Sequence, residues 1–341
     1  MDSVNVSRRG TRVSQNCMFI VVYCLLGVQL LLTMLYLSRP SEVQLQKNPP
    51  CICKNINSRV GFDYEDNQSV LKARKKLEED CQEHPNTLVG RIHVDVNVTA
   101  DLNEQKKAMP DVDWGEWKPS NCKPRHKVAI IIPYRDRLPH LKVQLRYLHP
   151  LLQRQQVHYR IFVAEQAGVG TWNKGRVMNA GYIEAAKLFD FQCVIFHDVD
   201  LVPEDDRNTY KCFSLPVHMS SAPSQDNYRT RYTILVGGVM NFPREDFLKL
   251  NGYSNEFWGW GGEDDDMAYR MKASAMDFER VPPEIGRYTS LIHGDRDKNP
   301  RRMALLQGSK KRQAKDGVSS LPYRLLSSSN EKLYTHLLVA V

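Results

Sequence analysis

The chain has 341 residues, 42% of them hydrophobic and 25% charged, with 19 glycines and 18 prolines. Those proportions exclude a disordered, collagen-like or coiled-coil protein and leave one large or two medium globular domains, long enough to build a core without disulfide staples. The net charge of +8 suggests a nucleic-acid or anionic-membrane partner, but its distribution removes the suggestion: residues 1–40 carry +3, residues 270–315 carry +7, and the remainder sums to −2.

In chain order, the first feature is the uncharged run Met18 to Leu37. As a helix it would span roughly 30 Å, the hydrocarbon thickness of a bilayer. Arg8, Arg9 and Arg12 precede it and Arg39 follows, so the positive-inside bias keeps tail residues 1–17 in the cytosol and sends the rest across the membrane. The run leads into Leu37-Ser-Arg-Pro40 rather than a small-residue cleavage site, so residues 18–37 read as an uncleaved type II signal anchor. Residues 38–80 are polar, with Pro49-Pro50 and the charged stretch Lys72 to Asp80, and read as a stem whose charged part is an exposed helix or spacer.

A chain beyond such an anchor meets an oxidising lumen. The four body cysteines, Cys81, Cys122, Cys193 and Cys212, then have three pairings open to them. Asn67-Gln-Ser and Asn97-Val-Thr are glycosylation sequons on the luminal side, whereas Asn5-Val-Ser faces the cytosol.

From Lys127 the pattern is α/β. Val128-Ala-Ile-Ile-Ile132 is wholly apolar and β-branched up to Pro133, as expected of a strand buried on both faces. Leu138, Leu141, Leu145, Leu148 and Leu152 follow at helical spacing; Ile161 to Ala164 predicts a second strand, Arg176 to Phe189 a second helix, and Cys193 to Phe196 a third strand. The alternation predicts a mostly parallel sheet with its ligand site beyond the carboxyl ends of the strands. Two segments fall there: Pro133-Tyr-Arg-Asp-Arg137, two guanidiniums and a ring suited to phosphate and base, and His197-Asp-Val-Asp200, two carboxylates suited to a divalent cation. Trp172-Asn-Lys-Gly-Arg176 adds an aromatic and two cations at a helix start, a place for an anion.

The most distinctive stretch is Phe257-Trp-Gly-Trp-Gly-Gly-Glu-Asp-Asp-Asp266. Its glycines make a mobile, open loop, its indoles suit sugar faces, and its carboxylates suit a base and hydroxyl contacts. Asp264 to Asp266 are placed to open a helix, where the dipole favours them.

Together with Ala129-Ile-Ile-Ile-Pro-Tyr-Arg-Asp-Arg137, Asp198-Val-Asp200, Gly237-Gly238-Val239 and the later His293, this stretch resembles the β-1,4-galactosyltransferase family over roughly residues 80–325. Those are type II Golgi enzymes that transfer a sugar with inversion from a uridine diphosphate donor to terminal N-acetylglucosamine or a related acceptor.

The resemblance implies an α/β catalytic domain over 81–341 of GT-A type, a Rossmann-like nucleotide-sugar transferase, luminal behind the transmembrane helix. It implies that Pro133, Tyr134, Arg135 and Arg137 hold uracil, ribose and diphosphate with help from Trp172 and Lys174. Asp198 and Val199 then touch the donor, and Asp200 and His293 ligate Mn2+. Asp264 is implied as the base, Asp265 as the residue that orients the acceptor, Glu263 as a donor-sugar contact and Trp260 as the ring that swings inward with its loop. Arg302, Met303 and Leu306 match the acceptor's N-acetyl pocket, with Met303 in place of the usual aromatic.

Leu235 stands where galactose-specific members carry tyrosine, which leaves space for the 2-acetamido group of N-acetylgalactosamine. Ser290 replaces the methionine usual three residues before His293; a hydroxyl is a harder ligand than a thioether, which implies weaker manganese binding or better acceptance of magnesium. The pairing implied is Cys81 with Cys122 and Cys193 with Cys212. Cys51 and Cys53 have no counterpart, and are placed to pair between the stems of a homodimer or to carry palmitate. The competing reading is a catalytically silent carbohydrate-binding or partner subunit of the same fold. Intact Asp200, Asp264 and His293 argue against it, while Ser290 leaves it room. A metal phosphodiesterase is disfavoured because two aspartates and one histidine make a thin dinuclear site.

Overall fold

The computed structural model describes residues 79–97, 101–292, 294 and 297–341. The tail 1–17, the anchor 18–37, the stem as far as residue 78 with Cys51, Cys53 and Asn67, and the metal candidate His293 lie outside the described residues. Among the described residues no helix is long and apolar enough to cross a membrane.

In chain order the elements are α1 (Leu102–Ala108), β1 (Glu116–Trp117), β2 (Lys127–Tyr134), α2 (Leu138–Arg154), β3 (His158–Gln166), α3 (Lys174–Leu188), β4 (Cys193–His197), β5 (Leu201–Pro203), β6 (Val217–His218) and β7 (Ala222–Pro223). They continue as β8 (Val239–Pro243), α4 (Arg244–Lys249), α5 (Glu263–Ala273), β9 (Glu279–Arg280), β10 (Arg287–Ser290), α6 (Arg302–Gln307), α7 (Ser309–Arg312), β11 (Arg324–Asn330) and β12 (Thr335–Ala340).

The three predicted strands form as β2, β3 and β4. Period-two alternation sends Val128, Ile130 and Ile132 with Tyr159, Ile161 and Val163 to the face covered by α2. Ala129 and Ile131 with Phe162 and Ala164 go to the face covered by α3. Of the five leucines at helical spacing in α2, Leu141, Leu145, Leu148 and Leu152 are buried, while Leu138 opens the helix and stays exposed. β2 continues past the expected stop to Tyr134, because its pairing with β3 runs on to Tyr134 opposite Glu165 after that with β4 has ended at Ile131 opposite Phe196. Pro133 thus sits where the strand is an edge on one side. Helix α3 starts two residues earlier than expected, capped by Asn173 Oδ1, which accepts the Arg176 N–H (2.9 Å).

The expectation of a mostly parallel sheet holds at its centre, where β12, β3, β2 and β4 run parallel, and again at the edge, where β9 lies parallel to β6. β8 returns antiparallel to β4, then β6 antiparallel to β8, and β11 antiparallel to β12. Between β4 and β8 the chain makes no crossover helix, so it re-enters the sheet in the opposite sense. A second, three-stranded sheet sets β10 antiparallel to β5, Ser290 opposite Leu201, and the Leu291 N–H donates to the Asp200 carbonyl (2.8 Å). Residues 290–292 thereby lie alongside Asp200. Two disulfides close, Cys81–Cys122 and Cys193–Cys212; the second ties the segment after Asp200 back to the start of β4.

The acidic run on α5 divides by direction. Asp266 turns into the protein, where Arg270 is fully buried and donates through Nε to Asp266 Oδ2 (2.6 Å) and through Nη2 to Asp316 Oδ2 (3.1 Å). Arg312 donates to Asp266 Oδ1 (3.1 Å) and Asp316 Oδ2 (3.3 Å). Arg312 is therefore a structural cation that joins α7 to α5. Removing one member strands an opposite buried charge. Asp316→Ala is expected to cost about 3–5 kcal/mol in denaturant unfolding, whereas Lys310→Ala, on the exposed side of the same helix, should change stability by less than about 0.5 kcal/mol. Equal effects would contradict this assignment.

Candidate functional site

The carboxyl ends of β2, β3 and β4 open onto one cavity of about 440 Å³. Pro133 at the end of β2 and Arg135 and Arg137 after it line it, with Val169 to Trp172 after β3, Asp198, Val199 and Asp200 after β4, and Lys174 from the first turn of α3. Arg135 Nη1 donates to the Gly170 carbonyl (2.6 Å), and its guanidinium lies 5.3 Å from the Trp172 ring centre, so one planar cation joins two loops. Two residues of these motifs go elsewhere. Tyr134 does not line the cavity; its ring packs against the core beneath α2, where burial, then Glu165, raises its phenol. Arg176 lies 4.6 Å from the Trp258 ring centre and donates through Nε to the Asn255 carbonyl (2.9 Å), which makes it a buttress rather than an anion site.

A second cavity of about 1050 Å³ adjoins the first, and Lys174, Asp198, Asp200, Trp260 and Asp297 line both. Its other walls carry Leu235, Glu263, Asp264, Asp265, Arg302, Met303 and Leu306. Met303 is 62% exposed and Leu306 is buried, so one forms the rim and the other the floor. The Trp260 loop is stitched to the segment after position 296: the Trp260 N–H donates to the Asp297 carbonyl (2.7 Å) and the Asn299 N–H to the Trp260 carbonyl (3.0 Å). Gly259, Gly261 and Gly262 take φ of 85°, 96° and 102°, a left-handed path that side chains resist.

Charge at the seam of the two cavities is organised by one ammonium. Lys174 Nζ lies 2.9 Å from Asp198 Oδ1, 3.2 Å from Asp264 Oδ2 and 3.7 Å from Glu263 Oε1. Burial alone would drive Lys174 toward neutrality, but Asp198, Asp264 and Glu263 outweigh it and hold the ammonium well above its ordinary pKa. Burial pushes Asp264 up to about 8; Glu263 and Asp198 add to the rise and Lys174 opposes it. A Cβ on Gly237 would fall 2.7 Å from Asp264 Oδ2, so only glycine there lets the carboxylate reach its place. Asp265 Oδ1 accepts the Tyr232 hydroxyl (2.6 Å). Glu263 Oε2 is buried without a hydrogen-bond partner in the protein, an acceptor left over for a ligand hydroxyl.

Asp198 and Asp200 put hard oxygen donors on the wall common to both cavities, a donor set that suits a divalent cation beside an anionic ligand. Among the described residues no three His, Cys, Asp or Glu gather as a metal site. Ser290 Oγ accepts the Gln225 N–H (3.3 Å) beside this wall. Asp297 and Tyr232 belong to the site and carry no motif: Asp297 is one of two acids, with Asp295, in a basic stretch, and only the nearness of Tyr232 to Leu235 marks it.

A cavity lined by Arg135, Arg137 and Lys174 at the ends of parallel strands, joined to a second cavity that holds the half-buried Asp264 carboxyl, fits a nucleotide-sugar transferase of GT-A-like fold. Comparison with known proteins agrees. The model of the N-terminal region of glycosyl transferase group 7 matches residues 81–213, and that of the N-terminal domain of galactosyltransferase matches residues 217–294. β-1,4-Galactosyltransferase 1 of Mus musculus is 41% identical over 266 residues, 76% of this chain and 66% of that protein. β-1,4-Galactosyltransferase 4 of Rattus norvegicus is 44% identical over 242 residues, 70% of each chain. Among solved structures, a mutant Drosophila β-1,4-galactosyltransferase 7 in complex with manganese, UDP-galactose and xylobiose aligns with TM-score 0.54 and 27% identity, over 63% of this chain and 94% of that one. The chain belongs to the β-1,4-galactosyltransferase family.

The raised Asp264 pKa has a stability consequence. The unfolded carboxyl ionises near pH ~4, the folded one only near about 8. Stability is therefore lost as pH rises through that window. Asp264→Asn removes this loss, so its melting temperature relative to the unsubstituted protein should climb from pH 5 to pH 8 in thermal unfolding. A pH-independent difference would contradict it.

Proposed function

We propose that this protein transfers galactose or N-acetylgalactosamine from the uridine diphosphate sugar to the 4-hydroxyl of a terminal N-acetylglucosamine, with inversion at the anomeric carbon. The observation that carries the reading is the half-buried Asp264 carboxyl, raised in pKa, beside the seam of two cavities that share Lys174, Asp198 and Asp200. The smaller cavity suits the nucleotide, with Arg135, Arg137 and Trp172 on its wall. The larger suits both sugars, with Glu263 and Leu235 facing the donor and Asp265, Arg302, Met303 and Leu306 facing the acceptor.

Asp264 takes the proton of the acceptor O4 as that oxygen attacks the anomeric carbon from the face opposite the nucleotide. The new carbon–oxygen bond forms while the sugar–phosphate bond breaks, and the electron pair leaves on the diphosphate. Lys174 keeps Asp264 aimed and ionisable, and Asp265, steadied by Tyr232, orients the acceptor. Asp200 and His293 would hold manganese, the metal in the complex of the Drosophila relative, with Asp198 beside it. Bound there, the metal supplies charge neutralisation to the leaving diphosphate.

We place the catalytic domain 81–341 in the Golgi lumen behind the type II anchor 18–37, with Asn67 and Asn97 as glycosylation sites and Cys51 and Cys53 as the candidates for joining two stems. The two disulfides support an oxidising compartment.

The test is transfer by the full chain in detergent, from UDP-galactose and UDP-N-acetylgalactosamine to an N-acetylglucosaminide, with the product linkage determined. Asp264→Asn should lower kcat by about 10²–10⁴-fold with UDP affinity retained. If Asp264→Asn kept full activity, Asp264 would not be the base. Leu235→Tyr should move the donor ratio toward galactose by about tenfold, and an unmoved ratio would remove the steric account of donor choice.

A further inference from the structure

The segment Tyr232 to Gly238 lies outside any strand, yet three of its alternate carbonyls are held by side chains behind it. Arg280, on β9, donates through Nη2 to the carbonyls of Thr233 (2.8 Å) and Leu235 (2.7 Å), and through Nε to His218 Nδ1 (3.0 Å). His218, on β6 and fully buried, places Nε2 at 2.9 Å from the Gly237 carbonyl. A guanidinium only donates and a carbonyl only accepts, so His218 is the neutral imidazole, with Nδ1 accepting and Nε2–H donating. Burial, then the Arg280 charge, keeps it neutral by lowering its pKa to about 4.

On its cavity side the same segment makes the contacts on which the site depends. Tyr232 holds Asp265, Leu235 forms the wall, Gly237 admits Asp264, and the Gly238 carbonyl accepts the Asp198 N–H (2.9 Å). Neither Arg280 nor His218 lines either cavity. Both act only through the backbone between them and the substrates.

We propose that Arg280 and His218 are positioning residues that set donor selectivity, by fixing how far the Leu235 side chain stands from the 2-substituent of the donor sugar. The inference rests on the transferase reading above. Deprived of Arg280, the carbonyls of Thr233 and Leu235 lose their charged donor, and a shift near 1 Å in such a wall alters rates by about 10²-fold.

The experiment measures kcat and KM with UDP-galactose and with UDP-N-acetylgalactosamine, and UDP affinity by calorimetry, for the full chain carrying Arg280→Met, Arg280→Lys, His218→Leu or His218→Gln. In Arg280→Met and His218→Leu the ratio of kcat/KM between the two donors should move by about fivefold or more. UDP affinity should stay within about twofold, because the nucleotide cavity contains no residue of 232–238. Arg280→Lys and His218→Gln, which keep donors and acceptors in kind, should restore part of the ratio; a generalised structural defect would instead lower both donors and UDP alike. His218→Leu carries the test should Arg280→Met fail to fold. A wild-type chain that transfers neither sugar overturns the transferase reading and this inference with it. Wild-type transfer with an unmoved donor ratio in the folded variants overturns this inference alone.

Discussion

One ammonium group, Lys174 Nζ, lies among three carboxylates that arrive from two separate parts of the chain: Asp198 after β4, and Glu263 and Asp264 at the start of α5. Like charges so close and so little solvated would repel strongly, since the interior screens far less than water. The cation converts that repulsion into attraction and sets α3, the end of β4 and the start of α5 around one point. Its compensation is incomplete. Asp264 remains harder to ionise than a surface carboxylate, which is the property a base near neutral pH requires.

The remaining architecture holds that point from several sides. The cluster of Arg270, Arg312, Asp266 and Asp316 anchors the inner side of α5 and ties it to the chain that carries Arg302 and Leu306. Gln144 Nε2 donates to the Asp198 carbonyl (2.8 Å) from α2, and the Gly238 carbonyl accepts the Asp198 N–H. Asp198 is thus gripped through its backbone while its carboxylate faces Lys174. Rigid support behind a few exposed groups fixes a catalytic geometry more sharply than contacts within the site alone.

Much of this was legible in the sequence. The β-branched runs at 128–132, 161–164 and 193–196 declared buried strands, and the Trp-Gly-Trp-Gly-Gly-Glu-Asp-Asp-Asp stretch with Asp198-Val-Asp200 carried the family resemblance and lines the two cavities. Residue type marked direction poorly. Tyr134 lies between two residues that line the cavity, and strand alternation turns its ring to the core. Arg176 shares a helix start with Lys174, yet it stacks on Trp258. Asp266 continues an acidic run whose other members face the cavity, yet it is buried on Arg270. The antiparallel return of β8 and the insertion of β12 beside β3 leave no periodic trace, because a strand's partner is chosen by long-range pairing.

What the sequence determined by itself were properties of local pattern: the alternating strands and helices, the apolar run at 18–37, the polar stretch at 38–80, and the residue types that chemistry demands. The tertiary structure alone decided which of those residues meet. It closed Cys81–Cys122 and Cys193–Cys212, the pairing the family resemblance implied and one of three open to composition. It brought Lys174 to Asp264 across 90 positions, and Arg280 to Leu235 across 45. Such contacts depend on how separate elements stack and which way each side chain faces, and pairs this far apart have no common period in the sequence.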